Sequence, residues 1–296
     1  MTSYHRKLAL RFVAAAALIA PLAGCSGVLD PQGPVGAGEK LILLDALAIM
    51  LAIVIPVVVA TLAFAWWFRA SNTRARYRPD WEFSGRIELV VWSIPALVIM
   101  FLGGLAWISS HDLDPAQPLP ASQTPPVQVE VVSLDWKWLF IYPDQGVASV
   151  NRLVVPVGAP LHLRLTSGSV MTAFFVPQLG SMIYTMNGMV TQLNLRADHP
   201  GSYAGLASHF SGDGFSGMHF QTDAVSPAAF TAWVAGAKAA GPTLDDPGYV
   251  ALSHQSQDVA PFTYRAAAPG LFEQIASQQL PPGPGPAPTA SPRKAP

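Results

Sequence analysis

The stretch GLASHFSGDGFSGMHF, Gly205 to Phe220, gathers donors that could hold a metal: His209, Met218 and His219, set among glycine turns. Imidazole and thioether suit copper, and a loop between strands is a place where such ligands can be fixed. On a strand of period two, however, His219 points away from Met218, so the three do not converge as one set. The competing reading makes His199, His209 and His219 exposed loop or strand histidines. The chain has one cysteine, Cys25, which excludes a disulfide framework or a multi-thiolate metal site built within it. No Ser-His-Asp order, glycine-rich phosphate loop or His-Glu-x-x-His helix is present, so hydrolytic, nucleotide and zinc-protease chemistry lack residues to carry them.

The elements that must position these side chains begin with a membrane. Of 296 residues, 51% are hydrophobic and only 12% charged, with a net charge of −1. That composition is too apolar for an ordinary soluble protein, and no basic motif points to nucleic acid. The start, MTSYHRKLALRFVAAAALIAPLAGCSG, has a basic head, an apolar stretch and Leu22-Ala23-Gly24-Cys25. It resembles a bacterial lipoprotein signal of residues 1–24 whose Cys25 thiol is acylated; the plainer alternative is an incidental thiol beside an ordinary signal. Residues 25–40 then form an N-terminal segment outside the membrane.

Ala46 to Phe68 and Leu89 to Ser109 are uncharged runs. At about 1.5 Å per helical residue, each spans the roughly 30 Å hydrocarbon layer. They define a transmembrane hairpin over 41–110, with Pro56 and Pro95 tolerated inside it and Trp66, Trp67 and Trp107 near the ends of the runs. The loop 69–86 carries Arg69, Arg74, Arg76, Arg78 and Arg86 against Asp80 and Glu82, which places it in the cytoplasm and both termini outside.

Residues 111–126 are a proline-rich linker. Alternating runs follow: VQVEV from Val127, LHLRLTS with Leu161, Leu163 and Leu165 on one face, TQLNL with Leu193 and Leu195, and MHFQT with Met218 and Phe220. Short strands between Gly and Pro turns predict a β-sandwich or barrel over 127–226. Helix-like stretches form a C-terminal extension over 227–280, and the composition of 281–296 predicts a disordered tail. The fold class is therefore mainly β plus membrane α.

Behind such a hairpin, the blocks VVSLDWKWLFIYP, SVMTAFFVPQLGSMIYTMNGM and GLASHFSGDGFSGMHF resemble, in order, subunit II of the haem-copper terminal oxidases, whose outer domain is a cupredoxin-like β-sandwich. The resemblance covers about residues 25 to 280. In the cytochrome c-using branch it implies a dinuclear copper site with the spacing Cys-x-Glu-x-Cys-x-x-x-His-x-x-Met plus an earlier His. Those positions are held here by Ala207, His209, Ser211, Phe215, Met218 and Thr172. Only Met218 matches, so these degenerate positions are not expected to bind metal. The loss, together with SLDWKWLFIYPDQG, SGDGFSGM and the lipobox, resembles the quinol oxidase branch, of cytochrome bo type.

The resemblance implies a non-catalytic subunit of a proton-pumping, inner-membrane ubiquinol oxidase that reduces oxygen to water. It implies oxidase subunits I, III and IV as partners and ubiquinol bound mainly by subunit I. Haems and a single copper belong to subunit I, with no cofactor in this chain. Trp136 and Trp138 match an aromatic pair at the point of electron input in the cytochrome c-using relatives; without copper behind them, packing at the interface with subunit I is the expected role. Glu88, at the cytoplasmic end of the second helix, matches the mouth of a proton uptake channel, and the alternative is an acid favoured by the helix dipole. Asp135, Asp144 and Asp213 read as solvated loop acids. A different class of function, a copper-free envelope lipoprotein acting as a binding or assembly module, stands as the rival.

Overall fold

A computed structural model describes residues 27–76, 78–119 and 122–285. The signal segment, Cys25 and residues 286–296 lie outside the described residues. The chain divides into two compact units, one of Gly38–Asp114 and one formed by the remaining described residues.

The first unit is the hairpin. Helix α1 (Pro34–Trp67) and helix α2 (Gly85–Asp112) are both long and apolar enough to cross a membrane. Helix α1 starts earlier than its uncharged run because Pro34 occupies a first-turn position, where a missing N–H costs nothing. Its 34 residues reach about 51 Å at 1.5 Å each, so the Glu39-Lys40 end extends past a hydrocarbon layer of roughly 30 Å. The most apolar 18-residue window of each helix has no buried residue within the chain. Side chains such as Leu62, Phe64, Leu89 and Ile99 therefore need lipid or another protein as their solvent.

The second unit is a β-sandwich. One sheet has the order β12-β3-β2-β1-β5-β8, built from β1 (Val127–Leu134), β2 (Lys137–Tyr142), β3 (Val147–Val150), β5 (Leu161–Ser167), β8 (Thr191–Leu195) and β12 (Phe262–Tyr264). The other runs β4-β10-β9-β6-β7, from β4 (Arg152–Pro156), β6 (Thr172–Val176), β7 (Gly180–Thr185), β9 (Gly201–Ala207) and β10 (His219–Val225). β1 pairs with β5, and β4 with β10, in parallel; the other pairs within these two sheets are antiparallel. Leu161, Leu163, Leu165, Leu193 and Leu195 all point into the core, as the alternation requires.

The inner faces meet in an aromatic cluster. Trp138 packs edge-on against Phe174 at 5.3 Å and against Phe220 at 5.6 Å, while Phe174 and Phe220 stack at 4.9 Å. Helix α3 (Pro227–Ala239) begins with Ser226 accepting from the Ala229 N–H and lays Trp233 on Tyr142 at 5.1 Å.

The C-terminal extension is less helical than its sequence pattern. Besides α4 (Asp246–Ser253) and α5 (Leu271–Ala276), it supplies β12 to the first sheet and a two-stranded pair of β11 (Thr243–Leu244) with β13 (Ala266–Ala267). Arg164 on β5 holds α5 through Glu273 at 2.8 Å, with its guanidinium 4.9 Å from the Phe272 ring centroid. Nor are the last described residues a free tail: the Gly283 N–H donates to Gly168 O at 2.7 Å.

Candidate functional site

The loop that drew attention in the sequence joins β9 to β10. Its neck is closed by the Ala207 N–H donating to Met218 O at 3.1 Å and by the Ser208 N–H donating to Ala173 O at 3.0 Å. The Thr172 hydroxyl donates to His209 O at 2.9 Å. Gly212 has a φ of +110°, open to glycine, and a 3-10 turn over Phe215–Gly217 brings the Met218 N–H to Phe215 O at 3.1 Å. Trp136 lies over this turn. Its indole N–H donates to Ser211 O at 3.0 Å, and a Cβ on Gly214 would fall 2.4 Å from the Trp136 ring, so the close approach demands glycine there.

Thr172, Ala207, His209, Ser211, Phe215 and Met218 are thus brought together at one end of the sandwich, linked by backbone and hydroxyl hydrogen bonds. Met218 is buried in the main core, and His219 is exposed on the opposite side of the strand, as period two requires. His209 is half-buried with its ring edge-on to Tyr184 at 5.5 Å. The Ser211 hydroxyl is buried and has no hydrogen-bond partner among the described residues.

The aromatic pair divides in two. Trp138 is 0% exposed, enclosed by this chain's own Phe174 and Phe220, so the interface role expected of it is corrected to an intramolecular core role. Trp136 is also largely covered, by the loop whose Ser211 it binds.

Beside the two tryptophans the structure corrects a second expectation. Asp135 is not a solvated loop acid. It is buried, and its Oδ2 accepts from the Gly285 N–H at 2.9 Å; Asp144 and Asp213 are exposed as expected. Lys137 is only 1% exposed, its Nζ donating to His254 O at 2.7 Å, to Ser256 Oγ at 2.6 Å and to Asp135 O at 3.0 Å. All three ammonium protons are therefore satisfied, the condition under which a buried charge is tolerated. Burial still pushes the Lys137 amine down to about 8, with the Asp135 charge opposing that shift. The Trp136 N–H donates to Ser256 O and the Ser256 N–H to Asp135 O, completing a clasp between the turn and the extension.

In the hairpin unit, Glu88 stands in the first turn of α2 and accepts from the Trp92 indole N–H at 3.1 Å, one turn along the same helix.

Residues 144–225, which include the whole loop, match the family model described as cytochrome c oxidase subunit II, periplasmic domain. The chain is 47% identical over 276 residues to cytochrome bo(3) ubiquinol oxidase subunit 2 of Pseudomonas aeruginosa, covering 93% of this chain and 83% of that protein. The chain belongs to the ubiquinol oxidase subunit 2 family. The ubiquinol oxidase subunit 2 of Acetobacter aceti is 49% identical over 260 residues, covering 87% and 84% of the two chains. The solved periplasmic domain of subunit II of cytochrome oxidase from Bradyrhizobium japonicum aligns with 40% of this chain and 96% of that chain, at 25% identity and a TM-score of 0.38. As a family member the chain is a subunit of an oxidoreductase complex.

Proposed function

We propose that this chain is subunit II of a proton-pumping ubiquinol oxidase that passes electrons from membrane-dissolved ubiquinol to oxygen without a copper centre in subunit II. The chemistry of the loop supports this most strongly. A dinuclear copper centre needs bridging thiolates, and Ala207 and Ser211 stand where they would be. An alkyl group donates nothing, and a neutral hydroxyl is a poor ligand for soft copper. Thr172, at the position of a histidine ligand, gives its hydroxyl proton to His209 O. Phe215, at the other histidine position, offers a ring without a donor. The residues present do not fit the group, and no electron step is assigned to this loop.

The subunit's role is then to orient and stabilise subunit I, where the haems and a single copper reside, in an assembly that also contains subunits III and IV. Trp136 and the loop beneath it are proposed as part of the face toward subunit I. Glu88 is proposed as a proton-collecting carboxylate at the cytoplasmic end of α2; its bond to Trp92 fixes it near the helix start. The hairpin spans the bacterial inner membrane with both termini on the periplasmic side, and Cys25 carries lipid. The arginine excess of residues 69–86 supports that orientation.

The purified complex tests this reading. It is expected to oxidise ubiquinol, to leave reduced cytochrome c untouched and to contain a single copper. Cytochrome c oxidation, or a second and third copper, would overturn it.

A further inference from the structure

The loop between α1 and α2 folds into a cleft of about 870 Å³ within the hairpin unit, lined by Trp67, Arg74, Arg76, Arg78 and Trp81 among others. Arg69, Arg74, Arg76 and Arg78 line it and no carboxylate does. Among the described residues none of these four arginines has an ion pair to a carboxylate.

The cleft abuts the C-terminus of α1, where unpaired carbonyls would repel an anion. Two of those carbonyls are occupied. Arg69 Nη1 donates to Trp66 O at 2.6 Å, its guanidinium 4.8 Å from the Trp66 ring centroid, and Asn72 Nδ2 donates to Trp67 O at 2.5 Å. With these two carbonyls occupied, the guanidiniums of Arg74, Arg76 and Arg78 have no ion pair among the described residues. Trp67 and Trp81 are both exposed, the latter 56%, and indoles at this depth sit at the level of lipid headgroups.

We propose that this cleft is a binding site for the headgroup of an anionic phospholipid. Guanidinium forks take phosphate oxygens in pairs, which a lysine ammonium does not reproduce, and the net negative charge of the headgroup, absent from a zwitterionic choline lipid, balances the arginines, while the tryptophans face the glycerol and upper acyl carbons. Basic pockets at the cytoplasmic end of transmembrane helices are a recognised setting for such headgroups. The inference rests on the membrane-spanning reading of the hairpin and adds a ligand to it.

The test uses the intact detergent-purified oxidase complex, stripped of loosely held lipid and offered dioleoyl phosphatidylglycerol, tetraoleoyl cardiolipin or dioleoyl phosphatidylcholine, with retained lipid read by native mass spectrometry. The wild-type complex is expected to retain the two anionic lipids at least fivefold over phosphatidylcholine. Millimolar inorganic phosphate should not displace them. Arg76→Gln and Arg78→Gln, tested singly so that the loop keeps a net positive charge and its insertion signal, are each expected to lower that selectivity at least threefold. Arg76→Lys, which keeps the charge and loses the fork, should fall between wild type and Arg76→Gln. Equal retention of phosphatidylcholine, selectivity unchanged in both glutamine variants, or full displacement by inorganic phosphate would overturn the site. Ubiquinol oxidation is assayed on the same preparations. Oxidation that persists while lipid selectivity is absent refutes this site alone, and selectivity without oxidation refutes the oxidase reading alone.

Discussion

Two irregular segments meet at one end of the sandwich and have opposite histories in chemical terms. On the proposed reading, the loop 208–218 keeps the turns of a copper site and Met218 but not the thiolates and imidazoles. The turn Asp135–Trp136, with Lys137 opening β2 beside it, buries a carboxylate and an ammonium. The loop is held by its own backbone turns over Gly212–Met218 and by hydrogen bonds from Trp136 and Thr172 outside it. The turn is held by the C-terminal extension, through His254, Ser256 and Gly285. Framework and function are therefore separable here. Trp136, which holds the loop, sits in a turn that is itself secured by a segment 119 to 150 positions later in the chain.

That dependence can be broken from the core outward. Trp138→Ala removes a fully buried ring from between the sheets and is expected to cost about 3–5 kcal/mol, read as loss of heat or denaturant stability of the assembled complex. Asp135→Ala leaves the Gly285 N–H without its acceptor, for about 1–3 kcal/mol, while Asp135→Asn keeps an acceptor oxygen and should recover much of that. Limited proteolysis of the C-terminus reads the same difference locally. Thr172→Val deletes the hydroxyl bond to His209 O and is worth about 0.5–1.5 kcal/mol, with ubiquinol oxidation unchanged.

Lys137 adds a pH signature. Its amine is depressed to about 8 in the fold, against 10.5 when unfolded, so between those values the unfolded chain binds more protons. Stability from this group therefore rises as pH increases from about 8 to 10.5 and is flat below. Compared with Lys137→Met across that range, the wild-type protein should gain stability as pH increases. A constant difference would show that the ammonium is not buried as described. His219→Ala, on the exposed side of β10, should change stability by no more than about 0.5 kcal/mol.

Much of this was readable in the sequence. The alternation of Leu161, Leu163 and Leu165 sets which face of β5 is buried, and the uncharged runs announce both long helices. The opposed directions of Met218 and His219 follow from strand period alone. What was hidden depended on contacts distant in the chain. In DWKW, the acid before the first tryptophan carries the pattern of a solvated turn, and nothing local signals that Gly285 returns to Asp135 or Ser256 to Lys137. β12 is three residues long, too short for periodicity to mark, and forms because β3 offers it a free edge. The tail composition of residues 281–285 predicts disorder, yet Gly283 and Gly285 donate to the β-domain, which composition cannot encode.

The central claim is that the loop retains a copper framework and lacks only donors, and restoring the donors tests it most directly. A complex carrying Thr172→His, Ala207→Cys, His209→Glu, Ser211→Cys and Phe215→His together with native Met218 should be measured for copper content against wild type. The account predicts two additional coppers with the absorption of a thiolate-bridged pair. A variant that folds and assembles yet takes up no copper would contradict the claim that the framework is intact, and wild type with the same copper content would contradict the claim that donors are missing.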